Sequence, residues 1–161
     1  MINCIDEKEW FCNKIEEYKY SLYRLSLSIL KNEQDAQDAV SEAICSAYAK
    51  LDTLSDKEKF KPWMMRILTN ASYDIYRKRK NICSLEETKE IPEKLTLDIS
   101  EKLTLRQAVD RLEYDYRAVV VLFYYDDMSI KDISNILGVS QGAVKTRLSR
   151  ARAKLLTMLK D

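Results

Sequence analysis

The chain has 161 residues, 46% hydrophobic and 33% charged, with a net charge of only +1, enough apolar material for one ordinary domain or two small ones. It contains no histidine, and Cys4, Cys12, Cys45 and Cys83 are scattered without a CxxC pair, which excludes a His-dependent triad and argues against a structural zinc site. With two glycines and two prolines it is too poor in turn residues for an all-β protein. No apolar run approaches the ~18 residues of a membrane span, and the start, with Asp6, Glu7 and Glu9, lacks the basic and apolar regions of a signal peptide. The cytoplasm is therefore the expected compartment.

In chain order, Ile15, Tyr18, Leu22, Leu25 and Ile29 recur at helical spacing and predict a long amphipathic helix from Glu7 to Leu30, its apolar side broadened by Trp10, Phe11, Tyr20 and Tyr23. A second helix is expected within Asn32 to Leu54. Val40, Ile44, Ala47, Tyr48 and Leu51 would form its inner face, and Asp35, Asp38, Ser41, Glu42 and Lys50 its outer one. The acidic residues crowd its first turns, where the helix dipole favours them. After a polar loop, Asp52 to Lys61, Pro62 suits the first position of a third helix, Trp63 to Lys80, with Met64, Ile67, Leu68, Ala71 and Ile75 inward. Its other face interleaves Trp63, Arg66, Asn70, Tyr73, Tyr76 and Arg77 and ends in RKRK, Arg77 to Lys80. Rings beside cations are suited to unstacked bases and their phosphates, although core rings and a solvated helix end would read alike.

Residues 84–101 turn acidic, with Glu86, Glu87, Glu90, Glu93, Asp98 and Glu101 against Lys89 and Lys94, and Pro92 breaks the periodicity. This predicts a linker that spans up to about 55 Å when extended. Beyond it, Leu105, Ala108, Val109 and Leu112 mark one helix, and Arg117 to Tyr125 another.

The closing stretch is the most specific. In SIKDISNILGVSQGAVKTRLSRARAKLL, Ser129 is a natural N-cap, and Ile130, Ile133, Ile136 and Leu137 bury one face. Gly138 ends that helix, and Ser140 caps the next, which is a helix-turn-helix turn. The second helix carries Val144, Leu148, Ala151 and Leu155 inward. It places Lys145, Arg147, Arg150, Arg152, Lys154 and Lys160 on its remaining surface, with no Asp or Glu from Gln141 to Lys160. In a nearly neutral chain this local cationic face is suited to a polyanion.

Three stretches together, DAQDAVSEAICSAYAKLDTL from Asp35, FKPWMMRILTNASYDIYRKRK from Phe60, and YRAVVVLFYYDDMSIKDISNILGVSQGAVKTRLSRARAKL from Tyr116, resemble a bacterial RNA polymerase sigma factor of the extracytoplasmic-function (ECF) group of the sigma-70 family. The resemblance implies an all-α protein of two helical domains: residues 1–83 (region 2) and 102–161 (region 4), joined by the linker 84–101. It implies a promoter-specificity subunit with no catalytic chemistry, cofactor, metal or small-molecule substrate of its own. Asp38, Ser41 and Glu42 would grip the clamp of the large subunit of core RNA polymerase. Phe60, Trp63, Arg66, Asn70, Tyr73 and Arg77, with the preceding loop, would read and melt the minus-ten element. Gln141, Lys145, Thr146 and Ser149 would face bases of the minus-thirty-five element, with Arg147, Arg150 and Arg152 on phosphates. The linker would thread the polymerase's RNA path. An anti-sigma partner is expected by resemblance, and a membrane-bound one would hold this otherwise uninserted protein at the membrane. The chain departs from the family pattern at Ser41 (often Gln), Glu113 (often Pro) and Asp127 (often Gly). The alternatives are a free-standing helix-turn-helix repressor or activator and a DNA-processing enzyme. The first leaves the acidic and the aromatic-basic helices without a task, and the second lacks a plausible set of metal-binding carboxylates.

Overall fold

Every regular element in the computed structural model, which describes residues 4–85 and 104–160, is helical. Helix α1 (Cys4–Leu30) buries Phe11, Leu22, Leu25 and Ile29. Tyr20, expected on the apolar side, is 76% exposed instead, because it lies off the stripe those residues define. Lys31 at φ 50° ends α1, and the Asn32 side chain accepts from the backbone N–H of Asp35 to start α2 (Glu33–Ala49).

The most buried residues of α2 are Ala36, Ala39, Ala43 and Ala47; of the expected inner line, Ala47 is buried, Val40, Ile44 and Leu51 are partly buried against the core, and Tyr48 is about half exposed. Alanines let α1, α2 and α3 pack against one another at short range, so close approach outranks side-chain bulk. Two short 3₁₀ turns, Leu51–Thr53 and Lys57–Lys59, lead into α3 (Phe60–Leu85), which begins three residues before Trp63. Pro62 therefore sits within the first turn, where its missing N–H costs little. Phe60, Met64, Met65, Leu68 and Ala71 point inward, with Phe60 ringed by Trp10, Phe11, Tyr18 and Trp63 at centroid distances of 5.5 to 6.1 Å.

Of the acidic stretch expected over 84–101, Ser84 and Leu85 are the last residues of α3, and the rest lies outside the described residues. Helix α4 (Leu105–Asp110) opens with a reciprocal capping box between Thr104 and Gln107. Helix α5 (Tyr114–Val120) starts three residues earlier than its apolar pattern indicated and runs into a π-helical turn, Val121–Tyr125. Two of the three departures from the family pattern are accommodated here. Glu113, where proline is frequent, has a proline-like φ of −59° before α5, and Asp127, where glycine is frequent, adopts φ 52°, a left-handed conformation aspartate tolerates. Helices α6 (Ile130–Leu137) and α7 (Gln141–Lys160) complete the chain.

The two halves share one apolar core. Helix α6 packs on α3 and α5 on α1, so Ala118, Val119, Leu122, Ile133, Ile136, Val144 and Leu148 are continuous with the cluster around Leu25 and Leu68. Buried charges fasten this junction. Asp126, its side chain wholly buried, pairs with Arg24 of α1 at 3.0 Å and Lys61 of α3 at 3.6 Å. Arg117, 5% exposed, donates to the carbonyls of Ser28 and Leu112.

Candidate nucleic-acid interface

The turn between α6 and α7 is built as its residues demand. Ser129 accepts from Asp132 N–H at 3.1 Å, and Gly138 takes the left-handed conformation (φ 68°, ψ 33°) that ends α6. The Ser140 hydroxyl accepts from Ala143 N–H at 3.1 Å, satisfying a free donor at the start of α7. Ser134 then donates to the Val139 carbonyl at 2.5 Å, pinning the turn from behind.

With Val144, Leu148 and Ala151 buried, α7 turns Gln141, Lys145, Thr146, Ser149 and Arg150 to solvent as one face. The other two arginines placed on this helix are engaged elsewhere. Arg147, with a side chain only 25% exposed, lies 3.8 Å from Asp115 of α5. Arg152 donates to the Tyr124 hydroxyl at 2.5 Å, and its guanidinium covers the rings of Phe123 and Tyr124. Lys154 pairs with Glu113 at 3.0 Å, so among the described residues the unpaired positive charge of α7 narrows to Lys145 and Arg150, with Lys160 at its far end.

On α3, Arg66, Asn70 and Arg77 are exposed and Trp63 and Tyr73 half-buried, at spacings that put them along one side of the helix. Phe60, expected beside them, is 2% exposed and belongs to the core, where burying the ring contributes about 2–3 kcal/mol. In this arrangement it supports Trp63 from below. Tyr73 and Tyr76 contact Tyr114 of α5 at 6.2 and 5.0 Å between ring centroids. Burial, then the charge of Asp115 and the neighbouring Tyr114, pushes the Tyr73 hydroxyl up to about 12, and burial raises Tyr114 as well. Of the RKRK run, Arg79 is held by Asp35 at 2.5 Å, a carboxylate with only 8% of its side chain exposed. Asp35 is thus a tie between α2 and α3 as well as a dipole-favoured first-turn acid.

Asp38, Ser41 and Glu42 stand together on the exposed face of α2, opposite the alanines. No periodicity flagged Tyr114 and Asp115, which contact Tyr73 and Arg147. Their only sequence signal is their place just before an apolar run, a position that suits many surface residues.

The family description "Sigma-70 region 2" matches residues 15–82 and "Sigma-70, region 4" matches residues 102–155. A relative named RNA polymerase sigma factor SigV, from Bacillus subtilis, is 36% identical over 138 residues, which cover 85% of this chain and 83% of that protein. The chain belongs to the sigma-70 family. The ECF RNA polymerase sigma factor SigW of the same organism, 30% identical across 96% of this chain and 91% of its own length, places it in the ECF group. Among solved structures, the sigma factor RpoE in complex with the anti-sigma factor NepR, from Bartonella quintana, superposes with a TM-score of 0.75 at 25% identity, covering 93% of this chain and 96% of that one. CnrH in complex with the cytosolic domain of CnrY gives 0.67 at 25% identity, covering 95% and 89%.

The region 2 match falls on the bundle α1 to α3, and the region 4 match on α4 to α7. Among the described residues no helix is long and apolar enough to cross a membrane.

Proposed function

We propose that this sigma factor binds core RNA polymerase through the exposed α2 face, Asp38, Ser41 and Glu42, and directs it to promoters with two readers. Trp63, Arg66, Asn70, Tyr73 and Arg77 on α3 engage the minus-ten element, with Phe60 buttressing Trp63. Gln141, Lys145, Thr146 and Ser149 contact minus-thirty-five bases, Arg150 the phosphates, and Arg147 and Arg152 reach phosphates once released from Asp115 and Tyr124. The residues before about 83 and after about 102 act as separate domains in that complex, joined by the acidic stretch. The observation that carries this reading is the solvent-facing side of α7, polar and basic behind a capped left-handed glycine turn. The chemistry belongs to the polymerase, and this chain supplies none.

The packed junction bears on how the activity is controlled. Tyr73 of the minus-ten reader packs on Tyr114 of α5 across the junction, so promoter engagement requires the halves to separate, whereas Arg147 is held by Asp115 within the second half. An anti-sigma partner that favours the closed form would silence the protein, and the similarity to a sigma factor solved with such a partner supports one here. The site of action is the cytoplasm, where polymerase and promoter lie.

Purified protein added to core polymerase should give transcription from a promoter upstream of its own gene. Tight footprinting of DNA by the protein alone, with no polymerase complex, would refute this reading.

A further inference from the structure

Where the end of α1 meets α4 and α5, the junction between the halves leaves a cavity of about 610 Å³, within the range of small-ligand sites and too small to admit a duplex. Its charged lining is unbalanced. Arg24 and Lys31 enter from region 2 and Arg106 and Arg117 from region 4, whereas Glu33 and Asp110 are the acids in the wall.

The imbalance is sharpest at Arg117. The residue is 5% exposed, and two carbonyl oxygens hold its guanidinium without cancelling its charge. Among the described residues no carboxylate lies within ion-pair distance of it. Arg24 spends its Nη2 on Asp126, yet its Nε is buried with no partner. Lys31 is fixed at φ 50°, and burial followed by the Arg117 charge pushes its ammonium below the usual lysine range. Arg106 is exposed on α4 and has no ion pair among the described residues. Asp110 acts on Lys31 and Arg117 only from beyond ion-pair distance; a buried charge without a directly paired counter-charge is costly, and an anion in this cavity would offset that cost for several cations at once. The remaining wall is apolar, from Leu27, Val109 and Val121, and Tyr125 lies flat enough for Arg24 to stack on it at 5.2 Å.

We propose that this cleft binds a small organic phosphate of the nucleotide kind, its phosphates among Arg24, Lys31, Arg106 and Arg117 and its flat portion against Tyr125. Because the cations come from both halves, the ligand bridges them and exists only in the closed form. It therefore favours closure by mass action and opposes promoter engagement. Its regulatory consequence rests on the sigma-factor reading; the binding itself does not.

Calorimetric titration of the full chain with ATP and, separately, with pyrophosphate, at about 0.15 M salt where surface charges are screened, tests the site. Saturable binding is expected, tighter for ATP. Lys31→Gln and Arg106→Gln, both at exposed positions, should each weaken it about tenfold, the loss of one charge-assisted hydrogen bond, while Lys145→Ala and Arg150→Ala on α7 leave it unchanged. Binding of both probes with equal affinity would overturn the role given to Tyr125 and leave inorganic phosphates as the source. No saturable binding, or a loss caused by the α7 changes instead, would overturn the site. Ligand-free protein is assayed for polymerase binding in parallel. A failure confined to the titrations removes the anion site, and a failure of polymerase binding removes the sigma reading.

Discussion

Asp126→Asn tests whether the junction between the halves is a latch. The carboxylate is wholly buried, with Oδ1 3.0 Å from Arg24 and 3.6 Å from Lys61, and Oδ2 has no partner. Removing one partner of a fully buried pair costs about 3–5 kcal/mol, because a charge is left stranded. Here the two cations retain 40% and 24% exposure and can turn back to water, so the expected loss falls to about 2 kcal/mol. The amide keeps the shape and one acceptor, and the cores inside each half are untouched. The loss should therefore appear as opening, shifting the closed-to-open ratio about thirtyfold. Small-angle scattering should show a larger radius of gyration for the variant, with helical content unchanged, and its affinity for core polymerase should rise. An unchanged radius and unchanged polymerase affinity beside a lowered melting temperature would refute the latch and make Asp126 an element of fold stability alone.

The raised Tyr73 hydroxyl gives a pH signature. Its folded value of about 12 lies above the ordinary 10, so its contribution to closure is complete below pH 10 and fades as pH rises towards 12. Near-ultraviolet circular dichroism of the wild type should follow that loss, and Tyr73→Phe should shallow the slope, Tyr114 supplying the part that remains. On α7, Lys145→Ala should change preference among minus-thirty-five sequences, whereas Arg150→Ala should weaken all of them and reduce the salt slope by about one; anisotropy titrations of the polymerase complex at several salt concentrations would separate the two. Equal effects on every sequence would contradict the assigned roles. At Gly138 a Cβ would meet no atom within 4 Å, so Gly138→Ala should cost only the backbone penalty of φ 68°, about 1–2 kcal/mol by thermal denaturation, and Gly138→Asn less.

The parts of this molecule that the sequence made legible are those governed by neighbours along the chain. Ser129, Gly138 and Ser140 act on donors and carbonyls within a few residues, so their caps follow from local chemistry, and the helix-turn-helix with its outward Lys145 and Ser149 follows from them. The inner face of α2 was legible only in part, through Val40, Ile44, Ala47 and Leu51. Periodicity weights bulk, and four alanines carry less of it than Tyr48 and Val40, although their smallness is what brings α1 and α3 close.

The junction was hidden for a different reason. Arg117 and Asp126 read as surface charges, because nothing nearby in the chain shows that Ser28 or Arg24, some ninety to a hundred positions away, will be their partners. Phe60 and Arg152 follow the same logic. Each has the right residue type for nucleic acid, and each is claimed by a tertiary contact, the ring by Trp10 and Tyr18 and the guanidinium by Tyr124. Residue type therefore nominates a reader, and competition from the rest of the fold decides when it can act. In this closed form Lys145, Thr146, Ser149 and Arg150 stay free while Tyr73 and Arg147 are held by α5. On the assignment proposed above, the minus-thirty-five reader keeps most of its base-facing groups available, and the minus-ten reader lacks one of its rings until the halves part. That assignment makes separation of the halves, and not exposure of α7 alone, the step on which promoter opening would depend.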